Sequence, residues 1–233
     1  MHAIAVMRVF NDRRDAGAQL ARELHRFAEK SDVVVLALPR GGVPVGYEIA
    51  TRLGVPLDVL IVRKVGVPFH PELAMGAIAS GGVQVIDEHL TKRLRISPDE
   101  FEEVAAIERE ELSRRERVFR GERAALDVRG RTVLLVDDGL ATGSTMAAAI
   151  AALRLREPAK IVVTVPVGAP QTVDALRAKA DEVVCLHTPQ HLYAVGIWYN
   201  NFTQTTDDEV RDLLATAERL LHTHYPSSEL RLR

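Results

Sequence analysis

The chain has 233 residues, 47% of them hydrophobic and 27% charged, with 30 Lys and Arg against 32 Asp and Glu. That is an ordinary soluble globular composition, large enough to bury a core without staples, and it excludes a disulfide-held miniprotein. A formal charge of -2 supplies no global field to draw the chain onto nucleic acid, and no run approaches the ~18 apolar residues of a membrane span.

The elements follow from periodicity, in chain order. The segment Asp12 to Glu29 predicts a helix with Leu20, Ala21, Leu24 and Phe27 on one face. Val33 to Leu38 is a strand-length apolar run, and Val43 to Leu53 is a crossover helix stopped by Gly54 and Pro56. Leu57 to Val62 predicts the second strand. Ser97-Pro98-Asp99-Glu100 is a capping box with proline at N1, opening a helix with Phe101, Ala105, Leu112 and Phe119 on a narrow apolar face. Its Arg-rich surface contains the i,i+4 pairs Glu110/Arg114, Glu111/Arg115 and Glu116/Arg120, so it reads as a solvated face rather than a nucleic-acid surface.

Strands Thr132–Val136, Ile161–Val165 and Glu182–Leu186 then alternate with helices Ser144–Leu155 and Pro170–Lys179. Thr206-Asp207-Asp208-Glu209 caps a last helix carrying Val210, Leu213, Leu214, Ala217, Leu220 and Leu221. Continuous rather than alternating apolarity marks strands covered on both faces. The expected fold is therefore α/β, a doubly wound and mainly parallel sheet with ligands beyond the carboxyl ends of its strands. The lone cysteine, Cys185, lies within the last of those strands and reads as a packing residue, in keeping with a reducing cytoplasm. The N-terminal apolar run Ala3 to Met7 is too short for a signal segment.

The stretch Val133-Leu134-Leu135-Val136-Asp137-Asp138-Gly139-Leu140-Ala141-Thr142-Gly143-Ser144-Thr145 delivers two carboxylates from a buried strand into a small, hydroxyl-rich helix start. Backbone N–H groups and hydroxyls there suit a phosphate monoester, and the paired acids suit a sugar diol. No Walker A lysine and no G-x-G-x-x-G is present. Pro39-Arg40-Gly41-Gly42 ends the first core strand, its glycines admitting an anion to the backbone and Arg40 adding charge.

These residues resemble the PRPP motif of type I phosphoribosyltransferases. With Arg63-Lys64-Val65-Gly66 and Ala194-Val195-Gly196-Ile197-Trp198-Tyr199, the order of motifs is similar to that of bacterial phosphoribosyltransferases of unassigned acceptor, over roughly Phe10 to Val210. The resemblance implies that Asp137 and Asp138 hold the ribose hydroxyls and that Ala141, Thr142, Gly143, Ser144 and Thr145 receive the 5-phosphate. It implies that Arg40, Gly41, Gly42, Arg63 and Lys64 meet the diphosphate, and that the Pro39–Arg40 peptide is cis. Mg2+ would arrive with PRPP, near Asp137 and Asp138 and not in a dedicated protein site.

Transfer of the phosphoribosyl group to a nitrogen acceptor, a small nucleobase-like heterocycle, is the activity implied. Gly66 to Gly76 lies where the family has its mobile loop. His70 or Glu72 there could handle the acceptor proton, while Trp198 and Tyr199 would face the acceptor. Ala141 and Trp198 stand where 6-oxopurine enzymes carry acids, which points away from that acceptor arrangement. The expected organisation is one domain over 1–233, with a core at about 31–187, hood and lid at 63–96 and 188–206, and a C-terminal helix at 207–222. No membrane or nucleic-acid partner is expected; a homodimer is compatible with the resemblance. The alternative is a PRPP-binding regulator acting on nucleic acid or a partner protein, with the Arg-rich helix as its main feature.

Overall fold

The computed structural model describes residues 9–121 and 123–224. The N-terminal apolar run at 3–7 lies outside them. In chain order the first half contains α1 (Arg13–Glu23), a 3-10 turn (His25–Phe27), β1 (Val33–Ala37), α2 (Gly42–Leu53), β2 (Leu57–Val59), β3 (Val62–Val67), β4 (His70–Ala79), β5 (Val83–Ile86), α3 (Glu88–Leu94) and α4 (Pro98–Arg120). The second half contains β6 (Thr132–Val136), α5 (Ser144–Arg154), β7 (Lys160–Val167), α6 (Pro170–Arg177), β8 (Glu182–His187), a 3-10 turn (Val195–Trp198) and α7 (Asp207–His224).

Five strands form a wholly parallel sheet in the order β2-β1-β6-β7-β8. Apolar residues on consecutive positions are buried on opposite faces: Val33 and Val35 of β1 pack with Leu134 and Val136 of β6 in one core, while Val34 and Leu36 pack with Val133 and Leu135 in the other. That two-sided burial is why these strands read as unbroken apolar runs. The chain moves from β1 outward to β2 and then returns to build β6, β7 and β8 on the other side. The direction of winding thus reverses between β1 and β6, and the crevice at such a switch point is where open α/β sheets bind ligands.

The run Leu57 to Val62, expected as one strand, divides between two sheets. β2 ends at Val59, and β3 begins at Val62 as part of a separate antiparallel sheet, β3-β4-β5. Leu60 and Ile61 are both buried, but in different cores, so apolarity continues through the switch and conceals it. The fully buried Ser80 secures the crossing: its backbone N–H donates to the Ile61 carbonyl at 2.9 Å and its hydroxyl accepts from the Ile61 N–H at 3.1 Å.

The segment expected as a mobile loop is a hairpin. Val67 pairs with His70 across a Pro68–Phe69 turn, with Phe69 in the left-handed region at φ 66 and almost wholly exposed. The α4 capping box is complete, and its predicted apolar face is buried. In α7, Val210, Leu213, Leu214 and Ala217 are buried and Leu220 is 40% exposed.

Candidate active site

Two loops meet at the switch point. The first leaves β1 through Leu38, whose N–H donates to the Val136 carbonyl at 2.8 Å, prolonging the β1–β6 ladder. The Pro39–Arg40 peptide that follows is cis, as the resemblance implied. Gly41 and Gly42 lie directly against the acid pair: a β-carbon on Gly41 would fall 2.0 Å from Asp138 Oδ2, and one on Gly42 would fall 2.7 Å from the Val136 carbonyl oxygen. Only glycine admits this approach, so these residues bring the two backbones into contact.

The second loop runs from β6 into α5. Leu140 is held by β-type bonds to Val167 and Ala169, and the hydroxyl of Thr172 on α6 donates to the Ala141 carbonyl at 2.7 Å. Gly143 caps α5 at φ 69. Ala141, Thr142, Ser144 and Thr145 are exposed around the helix N-terminus, where unpaired N–H groups favour an anion.

Asp137 and Asp138 sit between these loops. Asp137 Oδ1 accepts from the Asp138 N–H at 2.8 Å, and Asp138 Oδ2 accepts from Arg13 Nε at 2.8 Å. Each acid therefore has one oxygen anchored inside the protein, and among the described residues its other oxygen has no hydrogen-bond partner. Burial raises Asp137 well above the ordinary carboxylate range, and the neighbouring Asp138 charge adds to this. Burial also raises Asp138, against the opposing pull of Arg13.

Residues 11–198 match the phosphoribosyl transferase domain family. The chain belongs to that family. It is 47% identical over 213 residues to "Putative phosphoribosyl transferase Rv0571c" of Mycobacterium tuberculosis (strain ATCC 25618 / H37Rv), covering 91% of this chain and 48% of that protein. "Putative phosphoribosyl transferase MT0597" of strain CDC 1551 / Oshkosh shows the same identity and coverage. The chain thus spans about half the length of these curated relatives. TT1426 from Thermus thermophilus, a crystal structure, superposes with a TM-score of 0.80 at 44% identity, over 89% of this chain and 98% of that one.

The other residues expected at the phosphoribosyl transferase site are placed unevenly. Arg40 pairs with Asp207 at the start of α7 at 3.4 Å, and the two line a cleft of about 270 Å³ with Gln204, Thr205, Thr206 and Asp208. Arg63 and Lys64 do not face one anion together. Neighbours on a strand point to opposite sides. Arg63 is tied to Glu108 of α4 at 2.6 Å, while Lys64 is exposed and makes no ion pair among the described residues. His70 and Glu72 are exposed on the outer end of β4.

Tyr199 does not line an acceptor surface. It is buried beside Phe10 and Ala16, and its hydroxyl donates to the Asp138 carbonyl at 2.6 Å. Burial raises its phenol pKa, so it remains a protonated donor. Trp198 stacks on His187 with ring centroids 5.9 Å apart, so that ring already occupies one face of the indole. Its Nε1 is buried without a hydrogen-bond partner among the described residues. Cys185 is half-buried on β8, and burial pushes its thiol up to about 11, which suits a packing residue.

Arg13 is the site residue that motif reasoning did not find. Besides Asp138 it holds the Thr203 carbonyl through Nη1 at 2.7 Å, and its guanidinium lies 3.8 Å from the centre of the Phe202 ring. The available signal was its position in the first turn of a predicted helix, which by itself says nothing about a partner on β6.

A larger cleft, of about 600 Å³, lies under the end of α4 beside Arg117, Arg120, Arg123 and Gly81, away from this chemistry. Arg120 and Arg123 there are bound to Asp58, Glu116 and Glu218. Along the rest of α4, Arg109 pairs with Glu102, and Arg114 and Arg115 both pair with Glu111, leaving Glu110 outside the pairing that helical spacing suggested. No helix among the described residues is long and apolar enough to cross a membrane.

Proposed function

We propose that this protein transfers the 5-phosphoribosyl group of PRPP to a nitrogen acceptor with release of pyrophosphate. The observation that carries the reading is the contact between the Arg40–Gly42 loop and the Asp137–Asp138 pair at the reversal of the sheet. This contact supports reading the Gly41–Gly42 loop as a diphosphate site, the acid pair as acceptors for a sugar diol and the start of α5 as a phosphate site. In this reading the free oxygens of Asp137 and Asp138 accept from the ribose hydroxyls. Amides and hydroxyls of 141–145 hold the 5-phosphate.

As the bond from the anomeric carbon to diphosphate lengthens, positive charge grows on the sugar and negative charge on the leaving group. Arg40 and the Gly41 amide stabilise the latter, the Gly42 N–H being already bonded to the Leu38 carbonyl at 3.1 Å, Lys64 adding a further cation, and the acids stabilise the former. Glu72 or His70 takes the acceptor proton when the β3–β4 hairpin approaches. No group of three or more His, Cys, Asp or Glu side chains able to hold a metal occurs among the described residues, and Arg13 already engages one acid of the pair. These residues do not build a resident metal centre. Magnesium enters the proposal as an ion carried by PRPP, and no step above is routed through it.

The extensive pairing of the α4 arginines weighs against the regulator reading, which relied on that surface. The deciding experiment titrates the purified protein with magnesium–PRPP, following the fluorescence of Trp198, the single tryptophan. Pyrophosphate release is then measured with a panel of nucleobase-like heterocycles. Saturable PRPP binding with acceptor-dependent pyrophosphate release is the expected result. Binding without release for any acceptor would favour a regulator, and release of ribose 5-phosphate without acceptor would favour a hydrolase.

A further inference from the structure

Asp138 carries a phosphoribosyl role in the reading above, yet its orientation is set from outside the motif that contains it. Arg13 lies at the start of α1, 125 positions away in sequence. Its side chain is 11% exposed and that of Asp138 is 17% exposed, so the pair is largely shielded from water. The guanidinium acts as a fork, with Nε on Asp138 Oδ2, Nη1 on the Thr203 carbonyl and the plane resting on Phe202. Tyr199, whose ring centre lies 4.9 Å from that of the same Phe202, donates its hydroxyl to the Asp138 carbonyl. The Gly41 position crowds both partners, since a β-carbon there would meet Asp138 Oδ2 at 2.0 Å and Arg13 Nε at 3.3 Å.

We infer that Arg13 is a positioning residue of this site. It acts through Asp138, turning that carboxylate so that Oδ1 is presented beside the free oxygen of Asp137, and it ties the 202–203 segment to the same acid. The inference rests on the proposed PRPP reading for its functional consequence but not for the linkage itself. Two features separate this role from a surface ion pair, whose contribution is commonly near zero. The pair is sheltered, and the arginine makes two directed hydrogen bonds that an ammonium cannot reproduce from one point. Without Arg13, Asp138 would be a shielded carboxylate beside a second carboxylate with no cation to offset either, which favours the protonated acid and a different orientation.

The titratable groups facing Asp138 are Asp137, Arg13 and the Tyr199 hydroxyl. The test compares the wild type with Arg13→Gln and Arg13→Lys. The midpoint of Asp138 protonation is followed by carboxyl-carbon NMR without ligand, magnesium–PRPP affinity by calorimetry, and integrity by thermal melting. The expected result is a higher Asp138 midpoint in Arg13→Gln with PRPP affinity at least tenfold weaker. Arg13→Lys should restore the midpoint while recovering only part of the affinity, because charge returns without the fork.

An unchanged midpoint in folded Arg13→Gln would overturn the linkage. Unchanged PRPP affinity, or full recovery of affinity in Arg13→Lys, would overturn the positioning role. If the wild type does not bind PRPP but the Asp138 midpoint still responds to Arg13, the PRPP reading fails while the Arg13–Asp138 linkage is supported.

Discussion

The hydroxyl of Tyr199 donates to the main-chain carbonyl of Asp138 at 2.6 Å, joining the 3-10 turn after β8 to the loop after β6. Tyr199 is 2% exposed and Asp138 is half-buried. Tyr199→Phe keeps the packing against Phe10 and removes the donor. It should lower stability by about 1–3 kcal/mol, the cost of leaving a buried acceptor unsatisfied, and weaken PRPP binding because the Asp138 backbone relaxes. Denaturant melts and calorimetric titration check both effects, and a variant matching wild type in each would show that the bond anchors nothing.

The acid pair should separate activity from stability. Asp138→Asn and Asp137→Asn each remove charge beside a developing cation, and by comparison with other preorganised contacts about 2–4 kcal/mol of transition-state stabilisation is at stake. Stability should move the other way for Asp137. Its carboxyl is raised in the folded protein by burial and by Asp138. The folded state therefore binds more protons than the unfolded chain, and stability falls as pH rises from the unfolded carboxylate range toward the folded pKa. Asp137→Asn removes that loss, so its melting temperature should exceed that of wild type at neutral pH and converge with it in acid. Melting curves across pH 4 to 8 decide the sign.

Gly41 and Gly143 should be intolerant of alanine for different reasons. Gly41→Ala drives a methyl into Asp138 Oδ2, disturbing the acid pair more than the fold, so PRPP affinity should fall further than the melting temperature. Gly143→Ala meets Thr172 Cγ2 at 2.5 Å from a backbone at φ 69, combining a steric clash with a left-handed conformation. About 1–3 kcal/mol of destabilisation is expected from such overpacking. Equal, small effects on melting and binding in both variants would contradict this division.

Arg120 and Asp58 are 7% and 6% exposed and are bonded through Nε to both carboxylate oxygens, with Glu116 and the Val59 carbonyl completing the guanidinium's partners. This cluster fastens the end of α4 to the edge strand β2. Arg120→Met leaves buried Asp58 with no ion-pair partner, only the Val59 and Leu126 N–H groups still donating to it, which should cost about 3–5 kcal/mol. Asp58→Leu combined with Arg120→Met should recover part of that loss, because the Val59 and Leu126 N–H groups then lose their acceptor. Urea unfolding of the two variants measures the difference, and a single variant as stable as the double one would remove the argument.

How much was legible beforehand is clear from particular residues. Parallel strands buried on both faces leave uninterrupted apolar runs, so β1, β6 and β7 were visible as such, the half-buried edge strand β8 kept a shorter apolar run, and capping chemistry marked α4 and α7. The acids and the two glycine-bearing loops were visible because a strand end followed by a helix start constrains nearby residues in the chain. Leu60 and Ile61 were misleading, since both stay apolar while moving between two cores. Arg63 was misplaced because a charge pattern cannot show that Glu108 of α4 lies opposite it.

By itself, then, the sequence determined whatever depends on neighbours along the chain: the strand and helix periods, the caps, and the acid pair leading into a phosphate-sized loop. Tertiary structure alone decided that Arg13 grips Asp138 from 125 residues away and that Tyr199 supports the same acid from 61 residues away. A directed hydrogen bond between remote side chains imposes no period on either segment. Its partners can be recognised only after β1 and β6 lie side by side and the chain on either flank has folded back over their ends.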